Sequence, residues 1–172
     1  MPVDPTNDIS RFVSAFSGGG VRTNLFKVSG NIPVPGYNNN QAISFLVKAA
    51  QIPASSLGTI EVPYRGRRIK LPGDRTFQDW TITVISDANM SLRSAFEYWS
   101  AIFNSHVSNI SSSNFMQFMP TWSVTQLLRN GEPLRTYNFI GCYPSEIGAI
   151  DLSYENNDTI AEFPVTINYF LS

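Results

Sequence analysis

Ile69-Lys70-Leu71-Pro72-Gly73-Asp74-Arg75-Thr76-Phe77-Gln78-Asp79-Trp80-Thr81-Ile82-Thr83-Val84 is the stretch on which the reading of this chain turns. It reads as a basic hairpin arm that enters a tight Gly73-Asp74 turn and leaves it as a strand. In that strand Trp80, Ile82 and Val84 point one way, and Thr81, Thr83 and Ile85 the other, because side chains alternate along extended backbone. A helix follows directly. Asp87 and Asn89 are its candidate caps. Leu92, Ala95, Phe96, Trp99, Ile102, Phe103 and Val107 recur every three or four residues as one apolar stripe. Arg93 and Glu97, one turn apart on the other face, form a supporting pair. A single helix of about residues 90–108 among many strands must lie over a sheet or plug the end of a barrel.

Strands extend in both directions from this core. Upstream, residues 24–29 form the first strand, and a turn-rich segment follows over 30–40. Residues 42–50 alternate, with Ile43, Phe45, Val47 and Ala49 on one face. Residues 51–57 read as a loop. Residues 59–64 resume the alternation with Ile60, Val62 and Tyr64 together, and Pro63 argues for an edge or a break. Arg65-Gly66 marks a turn or a bulge. Downstream, Trp122, Val124, Gln126 and Leu128 alternate into Asn130-Gly131, a hairpin turn of the primed type, and 134–140 returns. Ile150, Leu152 and Tyr154 read as a short strand. The last run places Phe163, Val165, Ile167, Tyr169 and Leu171 on one side, with Pro164 pointing to an edge or strand start. The division expected is an N-terminal arm over 1–23, containing a short amphipathic helix from Asp8 to Phe16 and a Gly18-Gly19-Gly20 joint, followed by one domain over 24–172. The fold class is mainly β with one helix: two packed antiparallel sheets of about eight strands, barrel-like.

Composition bounds the function. Charged residues are 15% of the 172, against about 25% in ordinary soluble domains. With 12 Phe and 7 Tyr as well, a surface so sparsely charged points to burial against partners. The net charge of −1 offers no general attraction to nucleic acid or membrane. One cysteine excludes an internal disulfide framework and a thiolate zinc site. The N-terminal residues lack the pattern of a signal peptide, and no apolar run is long enough to span a bilayer, so synthesis in a reducing cytosol is expected.

A search for chemistry returns no catalytic, cofactor-binding or metal site. His106, the single histidine, falls at the edge of the helical stripe, where packing at a helix C-terminus accounts for it. Cys142 stands before Tyr143-Pro144 with no base or cation to activate it, as a small residue in a packed turn. Asp74 and Asp79 would make an acid–base pair only by coincidence; Asp74 as a turn cap and Asp79 as the partner of an arginine explain them. Arg65, Arg67, Arg68 and Lys70 form the one basic cluster. An intersubunit or solvated role suits it better than nucleic acid, since one short cluster in an acidic chain is a weak footprint.

The segment 69–84, with Gly73-Asp74-Arg75-Thr76-Phe77 and Asp79-Trp80 inside it, closely resembles the tail tube proteins of contractile-tailed bacteriophages. Asn24-Leu25-Phe26-Lys27-Val28 is similar to the family's first strand. Gly141-Cys142-Tyr143-Pro144-Ser145-Glu146-Ile147-Gly148 with the C-terminal strand is similar to its closing portion, so the resemblance spans roughly residues 20–171. The loops at 33–40, 51–57 and 111–114, and Pro164, depart from the family pattern. The resemblance implies a structural virion protein, assembled in the host cytoplasm. Its hexameric rings stack into a hollow tube, and each subunit lends strands to a continuous inner β-barrel. The partners implied are further copies of itself, the tail sheath, baseplate and tail terminator proteins, a tape-measure protein in the lumen, and DNA in transit. Thr81, Thr83, Ser44, Thr166 and Asn168 are the small polar residues suited to such a lumen. Related readings are a baseplate tube initiator or a type VI-like injection tube. A small β-sandwich enzyme or ligand-binding module is the reading from another class, and it needs a constellation that the search did not find.

Overall fold

The computed structural model of the chain describes residues 9–16, 19–37, 40–105, 114–155 and 158–171, without the side chains of 10 and 40–42. Its elements in order are α1 (Ile9–Ala15), β1 (Phe26–Ser29), α2 (Asn40–Leu46), β2 (Val47–Ala50), β3 (Ser55–Tyr64), β4 (Arg67–Phe77), β5 (Trp80–Ile85), α3 (Ser91–Phe103), a 3₁₀ turn (Phe115–Phe118), β6 (Trp122–Leu127), β7 (Pro133–Phe139), β8 (Tyr143–Ile147) and β9 (Glu162–Asn168). They form three antiparallel sheets, with strand orders β1-β6-β7, β2-β5-β9-β8 and β3-β4.

The first two sheets enclose the core. Trp80, Ile82 and Val84 of β5 and Phe163, Val165 and Ile167 of β9 supply one wall, all fully buried. Val28, Trp122, Val124 and Phe139 supply the other. Trp80 stacks on Phe139 at 4.6 Å and meets Trp122 edge-on at 6.0 Å, so the strand head joins the two sheets. The helix α3 touches both walls, with Phe96 against Phe163 and Trp99 stacked on Trp122 at 8° between ring planes. It therefore closes the space between sheets rather than lying over one. The buried residues of its stripe are Leu92, Ala95, Phe96 and Trp99. Val107 and His106 lie outside the described residues.

The helix start is built three residues early. The Asp87 carboxylate accepts hydrogen bonds from the Ser91 hydroxyl at 2.6 Å and the Leu92 N–H at 3.4 Å, while Met90 takes a left-handed φ of 50°. Burial alone would push the Asp87 pKa up, but these hydrogen bonds prevail and hold it below the ordinary aspartate value. Arg93 does not sit on a free outer face. It pairs with Glu97, donates to the Gly148 carbonyl at 3.0 Å and lies over the Phe163 ring, tying α3 to the segment after β8.

Several expectations are corrected. Residues 42–50 are not one strand: 40–46 are helical, and only 47–50 pair with β5. Ile43 and Leu46, three apart, face the core while Phe45 is exposed. A run this short fits both periods until packing chooses. Ser44 consequently sits on a helix and not on a sheet face. The strand expected around 150–154 does not form; the segment 149–155 carries no regular structure. Residues 55–57, expected in a loop, begin β3. Pro164 lies in β9, between β5 and β8, not at an edge. Its carbonyl accepts from Gly148 N–H just past the end of β8, so its missing N–H costs no ladder bond there. The primed turn also changes place. Arg65 and Gly66 have φ of 46° and 79°, as a two-residue primed turn requires. Asn130 has no positive φ. Gly131 alone does, and its N–H reaches the Leu128 carbonyl, which makes the longer turn with a left-handed third residue.

Candidate functional site

The largest correction concerns Gly73-Asp74. There is no turn. The strand β4 runs straight through these residues, paired with β3 from Ser55↔Phe77 to Tyr64↔Arg67. The irregularity is a bulge between Leu57 and Thr59, where Gly58 and Gly73 face each other; a Cβ on either would lie 3.2 Å from the other strand's backbone. Asp74 therefore caps nothing and is exposed on a strand. Asp79 occupies the two-residue link to Trp80 and makes no salt bridge among the described residues. Among the described residues no group of three or more His, Cys, Asp or Glu side chains is placed to hold a metal ion.

What β3 and β4 form instead is a two-stranded arm, roughly 30 Å long at about 3.3 Å per residue. Its base is closed by the Gln78 N–H on the Ala54 carbonyl. Every residue of β3 is exposed, as is every residue of β4 except Gly73 and Phe77. Register sorts the two faces. Ile60 opposes Leu71 and Val62 opposes Ile69, giving one apolar face; Glu61 opposes Lys70 and Pro63 opposes Arg68, giving a charged one. Arg65, Arg67, Arg68 and Lys70 gather toward the tip, and among the described residues only Arg68 has an acid partner there, Glu61 at 3.0 Å. The arm carries five cations and two acids, so the rest of the chain is net acidic. Isolated two-stranded hairpins are marginal in water. Ser56–Thr76 and Arg75–Ser55 hydrogen bonds add little on so exposed a ribbon.

The second feature is the outward face of the sheet β2-β5-β9-β8. Thr81, Thr83, Thr166 and Asn168 lie on it half-buried, with Glu146 opposite Thr166. Among the described residues, nothing pairs with the outer sides of its edge strands β2 and β8. Cys142 is buried, and its thiol hydrogen-bonds the Phe139 carbonyl; burial pushes its pKa up to about 12, the reverse of an activated nucleophile.

A sandwiched body with open sheet edges, and an arm that the other described residues leave uncovered, have the form of a structural protein. The comparisons with known proteins agree. The phage tail tube protein family matches residues 10–170, and the chain belongs to that family. It is 31% identical over 152 residues to the tail tube protein gp19 of Enterobacteria phage T4, covering 88% of this chain and 90% of that one. With the tail tube protein of Serratia phage KSP90 the identity is 28% over 166 residues, 94% of each. In fold it resembles a chain in the sheath/tube terminator of an extracellular contractile injection system, PVC, with a TM-score of 0.63, 18% identity, and 88% and 93% of the two chains covered. A chain of the PVC sheath–tube complex gives 0.56 at 18% identity, covering 90% of each. The protein is thus a tail tube protein of contractile phage tails, a structural component of the virion tail and not an enzyme. Among the described residues no helix is long and apolar enough to cross a membrane.

Proposed function

We propose that this chain assembles into hexameric rings that stack as a hollow tube, with the arm bridging copies and the sheet β2-β5-β9-β8 lining the lumen. The observation that carries this is the apolar face of the arm. Ile60, Val62, Ile69 and Leu71 alternate as a buried strand would, yet each is 41–54% exposed. Such a pattern specifies a covering surface, and none of the described residues of this chain supplies it. Pairing the open edges of β2 and β8 between copies would continue the sheet around a ring and remove its edges. Thr81, Thr83, Thr166 and Asn168 would then face the channel, offering DNA small polar contacts without sequence recognition, while Glu146 repels phosphate. Chains of this fold occur in sheath–tube, sheath/tube terminator and baseplate structures of contractile injection systems and the anti-feeding prophage. By the same surfaces this chain would meet its own sheath, terminator and baseplate, with a tape-measure protein in the lumen before DNA. Residues 1–23 would act as a separate arm.

The test is an arm-shortened variant in which 56–76 are replaced by Asn-Gly, joining the paired residues Ser55 and Phe77. It should melt as the wild-type subunit does and form no tubes by negative stain, while wild-type rings should weigh six subunits by native mass spectrometry. Tubes from the shortened chain, or rings of another number, would overturn the proposal.

A further inference from the structure

At the turn end of the β6–β7 hairpin lies a cleft of about 250 Å³, walled by Leu25, Leu127, Leu128 and Leu134 and flanked by Arg22 and Arg129. It is held open by main-chain bonds: Leu127 N–H to the Leu25 carbonyl and Leu128 N–H to the Glu132 carbonyl. Neither arginine has a salt-bridge partner among the described residues. The cleft is therefore apolar inside and positive at the rim. Elsewhere on the chain, Leu152 and Tyr154 are the most exposed large hydrophobics described, at 89% and 103%. They project from the irregular segment 149–155 and are flanked by Asp151 and Glu155. This segment is apolar at its tip and negative at its sides, and it shares no residue with the cleft. We propose that the Leu152–Tyr154 tip of one copy docks in the Leu25/Leu127/Leu128/Leu134 cleft of a neighbouring copy, with Asp151 and Glu155 against Arg22 and Arg129.

This rests on the self-assembly reading and assigns it a second contact, separate from the arm. Two different surfaces meet, so the contact is head-to-tail, the kind that generates a closed ring when its rotation allows. Another exposed apolar element, α1, suits the cleft poorly: Ile9–Ala15 carries Arg11 and no acidic residue to meet two guanidinium groups.

Reversing Arg129→Glu should raise the protein concentration needed for assembly roughly tenfold or more, as a misplaced interfacial charge does. Adding Glu155→Arg to the same chain should restore it, while the melting temperature of the subunit stays put in both. Independently, Leu134→Cys and Tyr154→Cys proteins, mixed and oxidised with copper-phenanthroline during assembly, should give a disulfide-linked dimer. Cys142 is buried and out of reach. Tubes that form unchanged in Arg129→Glu, no rescue in the double variant, or no cross-link in tubes that do form would each overturn the docking and leave the assembly reading standing. A wild-type chain that stays monomeric under all conditions would overturn both.

Discussion

Trp80→Ala is the perturbation that tests the core most directly. Trp80 has no exposed surface, stacks on Phe139, and abuts Trp122. Its indole N–H donates to the Gln51 carbonyl at 2.8 Å, anchoring the segment between β2 and the arm. Truncation empties the junction of the two sheets, where the rigid rings around it collapse poorly. The cost is about 3–5 kcal/mol, as for other large-to-alanine changes in cores. For a chain of this size each kcal/mol moves Tm by about 2–4 °C, so the drop should be about 6–20 °C. Trp80→Phe separates the two contributions. It keeps the stack on Phe139 but loses the bond to Gln51 and some volume, and should cost about 2 kcal/mol. The assay is thermal denaturation followed by circular dichroism, in the arm-shortened background so that assembly adds no apparent stability. A Tm within about 2 °C of the parent for Trp80→Ala would refute the claim that the strand head joins the sheets.

Arg93→Ala should cost about 1–2 kcal/mol, because it removes packing over Phe163 and the bond to the Gly148 carbonyl. Glu97→Ala, which removes only the exposed partner, should cost under about 0.5 kcal/mol; equal effects in urea titration would contradict this. Asp87 has a lowered folded pKa, so its stabilisation is present above the unfolded value of about 4 and is lost as pH falls through the folded one. Asp87→Ala should therefore lose about 1 kcal/mol at pH 7 and converge with the wild type in acid, where denaturation curves at both pH values decide it. The Cys142 thiol, pushed up to about 12 and buried, should resist iodoacetamide at pH 8 in the folded protein and react at once in guanidinium; native-state labelling by mass spectrometry would sink that claim.

Legibility followed how strongly each segment's pattern could be satisfied in only one way. The alternation of β5 and β9 is long, and its buried members are large, so Trp80, Ile82, Phe163 and Ile167 were readable as core. The α3 stripe was equally plain. Residues 40–50 were not, since Ile43, Phe45 and Val47 fit a strand as well as Ile43 and Leu46 fit a helix. The Gly73-Asp74 pair misled because glycine beside aspartate is the chemistry of turns, whereas here the glycine admits a neighbouring strand at Gly58. Pro164 misled for a related reason: its tolerance depends on where β8 ends, which is a tertiary fact. For the assembly surfaces, the basic tip of the arm was visible as a cluster, but its isolation from the body was not. The Leu152–Tyr154 tip was mistaken for a strand, although its acidic flanks and the absence of a pairing partner were the available signal.

The stretch 69–84 joins two kinds of strand that sequence patterning cannot tell apart. In β5 the apolar members of the alternation are wholly buried; in β3 and β4, a few residues earlier, the same alternation leaves them half in water. Nothing local distinguishes Ile82 from Ile69. The difference is the cover each strand receives: β5 is paired with β2 and β9, and its Trp80 packs on Phe139 and Trp122 of the facing sheet, whereas the residues of the arm stay exposed. Burying the four apolar residues of the arm face would contribute on the order of 1 kcal/mol or more each, more than an isolated hairpin can gain from its own cross-strand pairs. On the assembly proposed above, their exposure is a stored driving force for association, placed beside the core strand so that an arm engaged by a neighbour would be anchored through Phe77 and Trp80 to the sheet of its own subunit. The same proposal accounts for the low proportion of charged residues, since a surface that other copies cover would have little use for charge that must be stripped of water to bind.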